Sequence, residues 1–449
     1  MNSSHPLTAR SPDDIIAWSG GDGIRVGRFV SEVRTLAKQL PNHRYVINLA
    51  SDRYDFLVGL CAAMVANQCT LLPPNRQPNT LQQLIDDYPD CYSFGETGID
   101  RIPGFIADQD PAADVALAEV PEIPDDQLCA ILFTSGSTGA STPHRKYWRT
   151  FRDGALINEK GYRLRGGKVS MLATVPPQHN WGLETSILLP LVSPIAISSE
   201  MPLFPDDIAR GLTALPEPRV LVSSPIHLDA FLRADTGDLR IDHILSATAP
   251  MSQELAQELE ERYGAQVTEV FGCSEAGSLA WRATASESTW HIMDAFRFDL
   301  RNDGVQVSGA HLPEDVLLSD RLEIVGDKRF RWLGRDQDMI NIAGKRGSLA
   351  HLNYHLNQIP GVIDGVIFLP DETSKRLAAL VVAPELEPSA ILENLKQAIE
   401  PAFLPRPLYK VQMLPRQETG KLARKAMLEL FENQRNGTKS DGESATRSG

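Results

Sequence analysis

A mixed α/β fold with two domains is predicted for this 449-residue chain by three observations. Up to Gly334, short apolar runs of strand length alternate with helical patterns, which is typical of a mostly parallel, helix-covered sheet. Beyond Gly334 the pattern changes to that of a smaller α+β unit. The length suits two or three domains, and a hydrophobic content of 42% is enough for a large core. We therefore expect a large N-terminal domain (residues 1–334), a small C-terminal domain (335–432) and a disordered tail (433–449) that lacks large apolar side chains.

The individual elements are predicted from apolar runs and the turn residues between them. In the large domain, strands are expected at residues 45–49, 129–133, 169–175, 219–223, 243–247 and 267–271. Helical patterns are found at residues 56–66, 206–215, 227–233 and 253–263. The small domain is expected to contain helices at residues 349–357 and 389–399 and strands at residues 361–368, 375–382 and 408–414.

Charge and cysteine content narrow the function classes. The formal net charge of −14 and the pI of about 5.2 argue against nucleic acid or an anionic membrane as a partner, because these bind to basic patches. The five cysteines form no C-x-x-C pair, which is typical of reduced thiols rather than of disulfides or zinc ligands. The N-terminus lacks an apolar targeting segment, and the most apolar stretch, residues 56–66, is too short to span a bilayer. We expect a cytoplasmic protein without membrane insertion.

A candidate phosphate-binding loop follows the strand predicted at 129–133. Its residues are Thr134, Ser135, Gly136, Ser137, Thr138 and Gly139. Glycines permit positive φ, and hydroxyls add donors to exposed backbone N–H groups, so such a loop can wrap an anion. An ordinary surface turn has the same composition. The segment is not a Walker motif, because the first cations after it are Arg145 and Lys146 rather than a lysine directly after the last glycine.

Three further segments carry charged residues at informative places. VFGCSEAG (270–277) ends a β-rich run and then presents Glu275, a carboxylate that could bind Mg²⁺ beside a phosphate or simply cap a helix. Residues 320–346 contain Asp320 and Arg335. LPRQETGKLARK (414–425) places Lys421 after a Thr-Gly turn, where a solvated surface lysine is the simple alternative.

Taken in this order, the four segments resemble the signature motifs of the adenylate-forming superfamily: acyl-CoA synthetases, aryl-acid ligases, firefly luciferase and the adenylation domains of peptide synthetases. The family's ribose-binding aspartate lies 15 residues before the arginine of its Gly-Arg pair, and 335 minus 320 gives the same 15 here. The resemblance covers most of the chain. It implies a large N-terminal domain, a mobile α+β C-terminal domain, the use of ATP and Mg²⁺, and a small carboxylic acid as substrate.

The resemblance implies roles in nucleotide binding at matching positions. The loop from Thr134 to Gly139 would grip the β- and γ-phosphates, with Thr138 and Glu275 near Mg²⁺. Asp320 and Arg335 would bind the ribose hydroxyls. The adenine would lie against Phe271, beside Gly272 and the turn SATAP that contains Ala249.

It also implies residues for the acid and the thiol. PPQHNWG (176–182) resembles the segment that gates the acid pocket, so His179, Trp181 and Gly277 would line that pocket; a core-edge histidine packed beside a tryptophan is the alternative. Lys421 would reach the carboxylate and the α-phosphate, where charge builds up as two anions converge. The resemblance further implies that Gln337 is the hinge of the domain rotation and that Gly344 and Lys345 lie in the loop that lines the pantetheine tunnel.

Two positions depart from the family pattern. After the last loop glycine the family usually has one residue and then Pro-Lys, whereas this chain reads A-S-T-P-H-R-K and places Pro143 two residues late. Either Lys146 or Arg145 could therefore serve the phosphates, or the contact could be missing. Gln337 stands where the family normally has aspartate or lysine. The chain is also short for the family, and we expect a pared-down large domain.

The predicted function is an ATP-dependent carboxylic acid ligase that forms an acyl- or aryl-adenylate and transfers the acyl group to a phosphopantetheine thiol of an acyl carrier protein or CoA. TLLPPNR (70–76) and the short chain look similar to compact ligases of aryl-polyene and xanthomonadin-type pigment clusters, which implies an aromatic acid such as 4-hydroxybenzoate. The alternatives are a fatty acid ligase, a degenerate member that binds nucleotide without turnover, and an unrelated phosphotransferase that would release ADP.

Overall fold

The computed structural model describes residues 3–95, 99, 101–106, 119–135, 141–164, 167–301, 304–335, 339–342, 345–371, 374, 376–417, 420 and 422–445. The chain divides into two compact units. The first contains Met1–Asp299, Gln306–Val316 and Ile324–Phe330, and the second contains Leu300–Val305, Leu317–Glu323 and Arg331–Gly449.

In chain order, the strands up to residue 335 are β1 (Ser4–Pro6), β2 (Ile15–Ser19), β3 (Asp22–Arg25), β4 (Tyr45–Asn48), β5 (Cys69–Leu72), β6 (Cys91–Phe94), β7 (Gly104–Phe105), β8 (Glu122–Pro124), β9 (Leu128–Ser135), β10 (Ser141–Tyr147), β11 (Val169–Ala173), β12 (Ile195–Ser198), β13 (Arg219–Ser223), β14 (His243–Ser246), β15 (Gln266–Cys273), β16 (Gly277–Arg282), β17 (Trp290–Ile292), β18 (Phe296–Arg301), β19 (Gly304–Gly309), β20 (Val316–Leu318), β21 (Asp320–Gly326) and β22 (Arg329–Arg335). The helices are α1 (Val26–Gln39), α2 (Arg53–Val65), α3 (Pro78–Asp87), α4 (Trp148–Gly161), α5 (Asn180–Leu183), α6 (Leu189–Val192), α7 (Pro205–Ala214), α8 (Pro225–Arg233) and α9 (Gln253–Tyr263), with a π-helical turn at Glu184–Leu188. The chain passes between the two units within β18 to β22, and the predicted domain boundary after Gly334 falls in the last of these strands.

Six strands of the first unit form a sheet in the order β10-β9-β5-β4-β6-β7. All are parallel except β10, which returns antiparallel to β9 at the edge. The central strands are buried on both faces, as expected for a parallel sheet covered by helices. The candidate phosphate loop therefore begins at the carboxyl end of a parallel strand, where ligands bind in open α/β sheets.

The larger sheet of the first unit runs in the order β3-β2-β12-β11-β13-β14-β15-β16-β17, and Trp290 of β17 pairs with Phe330 of β22. The strands β2 and β11 to β15 are parallel, and the flanking strands β3, β16 and β17 are antiparallel. The predicted mostly parallel α/β fold is confirmed; the parallel strands β2 and β12 and the antiparallel strands at the margins were not predicted from the sequence.

Local sequence explains the helices that carry the core. In α2, Asp52 caps the N-terminus by accepting hydrogen bonds from the backbone N–H groups of Tyr54 and Asp55, and Phe56 to Met64 are buried. In α9, the Ser252 hydroxyl accepts from the N–H of Leu255, and Gly264 ends the helix in the left-handed region, as is common at helix ends. None of the helices within the described residues has both the length and the apolar character needed to cross a membrane.

The second unit continues with β23 (Met339–Ile342), β24 (Lys345–Ser348), α10 (Leu349–Asn357), β25 (Asp364–Phe368), β26 (Ala378–Val382), α11 (Pro388–Ala398), a 3₁₀ turn (Pro401–Phe403), β27 (Leu408–Lys410) and α12 (Arg424–Ala445). β23 and β24 form an antiparallel pair, and β26 lies between antiparallel β25 and parallel β27. Leu352, Leu356, Ile391 and Leu395 pack into one core with Val381. Each of the predicted small-domain elements is present, with bounds that differ by a few residues.

The final helix differs from the sequence-based expectation. α12 extends to Ala445, whereas a disordered tail is predicted from Asn433. Met427 and Phe431 are buried and anchor the first half of the helix, and the sequence that follows Phe431 is polar. A composition rule assigns such a polar stretch to disorder because it lacks apolar anchors, although a helix that is already nucleated needs only one further backbone hydrogen bond per added residue.

Candidate active site

The segment after the candidate phosphate loop is a strand rather than a longer loop. Gly136, Ser137, Thr138 and Gly139 lie outside the described residues. Ser141 pairs with Ser135, Thr142 with Thr134 and Lys146 with Ala130 in the antiparallel β9–β10 ladder. Pro143 is tolerated because β10 is an edge strand. The two extra residues noted in the sequence thus belong to a β-hairpin around the loop.

The alternation of β10 separates its three basic residues. His144 and Lys146 share one face of the strand, and Arg145 lies on the other and is exposed. Lys146 is only 4% exposed, and its Nζ donates to the carbonyl oxygens of Ser274 at 2.7 Å and Glu275 at 3.0 Å. Burial lowers the pKa of Lys146. Lys146 therefore fixes the backbone of the loop between β15 and β16 through hydrogen bonds to two of its carbonyl oxygens.

His144 lies between two predicted site residues, one in a strand of the six-stranded sheet and the other in the turn after a strand of the larger sheet. Its Nε2 is 3.0 Å from Oγ1 of Thr134 and 3.8 Å from Oε1 of Glu275. Burial lowers the pKa of His144, and the carboxylate of Glu275 opposes that effect. Sequence reasoning did not select His144; the available signal was that Pro143-His144 stands where the family has Pro-Lys.

The end of β15 brings Phe271, Gly272 and Glu275 to one loop. The Phe271 ring is half-buried and packs against Trp290 and Phe330, with centroid distances of 5.6 and 5.5 Å. A side chain at Gly272 would place its Cβ 2.3 Å from the carbonyl oxygen of Gly277, so the tight turn excludes larger residues there. The side chain of Glu275 is 46% exposed and is therefore open to a ligand.

A buried carboxylate that sequence reasoning missed lies against the far end of this loop. Glu184, in the π-helical turn, accepts hydrogen bonds from Asn180 Nδ2 at 3.0 Å, Ser278 N at 3.2 Å and Ser278 Oγ at 2.6 Å. Burial raises the pKa of Glu184. The Tyr162 hydroxyl lies 3.0 Å from Ser278 Oγ. Because Glu184 belongs to the segment after His179, it ties the predicted acid-gating segment to the loop that carries Glu275.

A small cavity of about 20 Å³ adjoins this network and is lined by Lys146, Asn180, Glu184 and Ser278, among others. That volume holds about one water molecule, whereas ligand pockets span roughly 300–1,000 Å³. The cavity is therefore part of the buried polar network rather than a place for an acid.

The predicted acid-gating segment is held by a buried arginine. His179 precedes α5 and its backbone N–H donates to the carbonyl oxygen of Pro176 at 3.2 Å. Trp181 is buried, and its ring meets the edge of Tyr162 at 5.8 Å. Arg53, with no exposed surface, donates to the carbonyl oxygens of Ala173 and Val175 at 2.7 and 3.0 Å and to Ser186 Oγ at 2.5 Å.

The remaining predicted residues are placed as follows. Ala249 is exposed in the turn after β14, at the carboxyl end of a parallel strand. Asp320 is buried and accepts a hydrogen bond of 2.8 Å from Trp332 Nε1. β21 and β22 are neighbours joined by a short turn, so Asp320 at the start of one and Arg335 at the end of the other lie at the same end of the hairpin. Lys345 is exposed and pairs with Glu400.

Other predicted residues lie outside the described residues: Gln337, Gly344 and Lys421. Gly420, directly before Lys421, has a φ of +78°, and its carbonyl oxygen accepts a hydrogen bond from Arg416 Nη1 at 2.9 Å. The roles of the hinge, the thiol tunnel and the C-terminal lysine thus stay predictions.

Comparisons with known proteins agree on one family. A family model described as AMP-binding enzyme matches residues 69–299. The 3,4-dihydroxybenzoate–[aryl-carrier protein] ligase of Bacillus anthracis is 22% identical over 70% of this chain and 75% of its own length. The 4-coumarate–CoA ligase of Rhodobacter capsulatus is 28% identical over 52% of this chain, and the match spans 58% of that ligase, less than two thirds of it. The ATP-bound MatB from Rhodopseudomonas palustris superposes with a TM-score of 0.79 at 18% identity, over 95% of this chain and 97% of its own.

Proposed function

Since the chain belongs to the AMP-binding enzyme family and is an adenylate-forming ligase, we propose that it joins a small carboxylic acid to a phosphopantetheine thiol in two steps. In the first step a carboxylate oxygen attacks the α-phosphorus of ATP, the bond to the β-phosphate oxygen breaks, and pyrophosphate leaves. In the second step the thiol sulfur attacks the acyl carbon, AMP leaves, and the thiol proton is released.

The observation that carries the proposal is that the side chains of Thr134 and Glu275 lie close to the same imidazole nitrogen of His144. Thr134 ends a strand of the six-stranded sheet and Glu275 follows a strand of the larger sheet, yet both side chains lie within 4 Å of Nε2 of His144. A hydroxyl at the start of a glycine-rich loop and an open carboxylate are the groups needed beside a triphosphate and its metal. Their convergence supports a nucleotide site at this place.

The donor set suits Mg²⁺ bound together with a phosphate. Among the described residues no group of three or more His, Cys, Asp or Glu side chains could hold a metal by itself. Glu275 offers a single hard oxygen donor that is 46% exposed, and Mg²⁺ prefers one or two carboxylates plus phosphate oxygens and water. Glu275, with Thr138 of the loop, would hold this ion, which when bound neutralises charge on the phosphate oxygens.

For the acid we propose an aromatic, hydroxylated substrate such as 4-hydroxybenzoate, lying against His179, Trp181 and Gly277. Two of the relatives act, by their names, on dihydroxybenzoate and coumarate, which supports this class. Trp181 is 8% exposed, so an edge of its ring can contact a planar substrate. A fatty acid is the alternative, and it predicts activity that rises with chain length.

Both CoA and an acyl carrier protein stay open as the acceptor. Two basic segments could dock an acidic carrier protein, 145–152 and 416–425. Arg152 is paired with Asp125 and Asp153 at 3.1 and 2.7 Å, and Arg416 is paired with Asp364 at 2.6 Å. These pairs reduce the positive charge that Arg152 and Arg416 can offer to an acidic carrier protein.

Exchange of labelled pyrophosphate into ATP, run with benzoates, hydroxybenzoates, cinnamates and fatty acids, tests the first step. We expect exchange with a hydroxylated aromatic acid, and its loss in Glu275→Gln but not in Glu261→Gln, an exposed glutamate of α9. Exchange with fatty acids alone would replace the proposed substrate class. Nucleotide binding without exchange would favour the degenerate member, and release of ADP would contradict the proposed reaction. Thioester formation with CoA or with a holo carrier protein then identifies the acceptor.

A further inference from the structure

We propose that His144 is the basic residue that binds the terminal phosphates of ATP, in place of a lysine or arginine. The inference rests on the proposed function, because it assumes a nucleotide at the loop that follows Thr134. It goes further by assigning a residue to a contact that the sequence leaves open between Arg145, Lys146 and no residue at all.

The ammonium group of Lys146 already makes hydrogen bonds within the protein. Its Nζ is held by two backbone carbonyl oxygens, at 2.7 and 3.0 Å, and its side chain is almost fully buried. A move toward a phosphate would break both hydrogen bonds, which join a charged ammonium to carbonyl oxygens and are worth about 1.5–3 kcal/mol each. Lys146 thus acts on the loop of Glu275 rather than on the nucleotide.

Arg145 lies on the face of β10 that is turned away from the loop carrying Glu275. Neighbouring residues of a strand point to opposite sides, so Arg145 faces away from His144 and Lys146. Burial raises the pKa of the Cys69 thiol and of the Tyr88 hydroxyl, and the nearby positive charge of Arg145 opposes this effect on both groups. Tyr88 packs against Phe133 with a centroid distance of 5.7 Å. Arg145 is therefore on the side of the sheet opposite to the Glu275 loop.

His144 has the required position. Its Nε2 lies 3.0 Å from the hydroxyl of Thr134, the residue at which the loop begins, and 3.8 Å from the Glu275 carboxylate. Its side chain is 12% exposed, so the imidazole is held in place while its edge can still be reached. An imidazole can donate through Nε2–H in both the neutral and the charged form, and it can therefore bind an anion that enters between Thr134 and Glu275.

The test compares ATP with AMP, which lacks the two terminal phosphates. Dissociation constants of both nucleotides are measured by calorimetry at one pH, with and without Mg²⁺, for the unmodified protein and for His144→Ala, His144→Gln, His144→Lys and Arg145→Ala. We expect His144→Ala to weaken ATP binding about 10-fold or more, as for loss of a hydrogen bond to a charged group, and to change AMP binding less than about twofold. His144→Lys should restore ATP binding to within about threefold, because it returns a cation to this place. Arg145→Ala is the matched control and should bind both nucleotides normally.

Several outcomes would overturn the inference. Unchanged ATP binding in both His144→Ala and His144→Gln would show that the imidazole makes no contact with the phosphates. Equal weakening of ATP and AMP would indicate general loss of structure rather than loss of a phosphate contact. A selective loss of ATP binding in Arg145→Ala would assign the contact to that residue. If the unmodified protein bound neither nucleotide, the proposed function itself would fail, which distinguishes the two failures.

Discussion

Ser278 donates two hydrogen bonds to the buried carboxylate of Glu184, from its backbone nitrogen at 3.2 Å and from its hydroxyl at 2.6 Å. The two residues are 94 positions apart in the chain. Through this contact the segment after His179 and the loop that carries Glu275 form one buried polar network. Four predictions concern the residues that hold this site, and a fifth concerns the chemistry of the C-terminal lysine.

Replacing Gly277 by alanine should destabilise the protein, because its φ is +82° and the new Cβ would lie 2.3 Å from Oε1 of Glu184. We expect a loss of about 3 kcal/mol in the free energy of unfolding, from backbone strain and displacement of a buried carboxylate. Gly237→Ala is the control, since Gly237 also has a positive φ of +65° but has nothing within 4 Å of a new Cβ. Urea unfolding should show a cost of only about 1–2 kcal/mol in the control. Equal losses of stability in the two variants would mean that the Glu184 side chain can move away from the new Cβ at no cost in free energy.

Lys146→Met should weaken the binding of ATP mainly when Mg²⁺ is present. Methionine keeps most of the length of the side chain but cannot donate to the carbonyl oxygens of Ser274 and Glu275, so the loop that carries Glu275, the proposed Mg²⁺ ligand, loses an anchor. We expect the Mg²⁺ concentration for half-maximal ATP binding to rise about fivefold to tenfold, as for loss of about 1–1.4 kcal/mol, with little change in Mg²⁺-free binding. A larger loss of binding without Mg²⁺ would instead place Lys146 on the phosphates.

Arg53→Met should be among the most destabilising changes in the first unit. Burial lowers the pKa of Arg53 to about 9, so the guanidinium is still charged at neutral pH, and it satisfies Ser186 and two backbone carbonyl oxygens. We expect the free energy of unfolding to fall by about 3 kcal/mol or more, because three buried acceptors lose their donor at a cost of about 1–3 kcal/mol each. Arg233→Met is the control, since Arg233 is exposed and paired with Asp229 on α8, and it should cost less than about 1 kcal/mol. A thermal or urea unfolding series checks both values.

Alkylation of Cys273 in the folded protein should be slow and should accelerate with pH. Burial and the carboxylate of Glu275 raise the pKa of its thiol to about 12. Since the thiolate is the reactive form, its fraction rises about tenfold per pH unit below that pKa, and the rate should rise about tenfold between pH 8 and 9. Mass spectrometry after iodoacetamide treatment, with Cys273→Ser as the control, measures the rate. A rate that levels off in this range would show an ordinary, exposed thiol.

Lys421→Ala should abolish adenylate formation but largely spare thioester formation from a supplied acyl-adenylate. The family resemblance gives this lysine a role only in the first step, where its charge offsets the convergence of two anions. We expect a loss of at least about 10³-fold in pyrophosphate exchange, comparable to removal of a group that stabilises a transition-state charge. Lys425→Ala, an exposed lysine of α12, is the control and should exchange normally. Equal loss of both steps would count against separate roles for the two half-reactions.

Much of the fold was predictable because it depends on local patterns. The parallel strands β4, β9, β11, β13, β14 and β15 and the helices α7, α8 and α9 were identified within a few residues of their observed bounds, since buried strands are continuous apolar runs and surface helices repeat every 3.6 residues. The parallel strands β2, β5, β6, β7 and β12 were not predicted, because a short apolar run does not by itself distinguish a strand from other buried segments. The amphipathic helices α1 and α4 and the antiparallel strands β16 to β22 were missed. These elements mix charged and apolar residues, and their stability comes from partners that the local sequence does not show.

The sequence by itself determined the order of the motifs, the α/β class and the residues proposed for the nucleotide site, of which Thr134 and Glu275 both lie within 4 Å of His144 Nε2. Only the tertiary structure decided what the basic residues of β10 do. If this segment were a loop, Arg145 and Lys146 would be equal candidates for binding a phosphate. It is an edge strand, so Arg145 lies on one face and His144 and Lys146 lie on the other. Lys146 is buried against the loop that carries Glu275, and His144 lies beside Thr134. The physical reason is that the direction of a side chain depends on strand pairing and on partners more than a hundred residues away, and no local pattern records either.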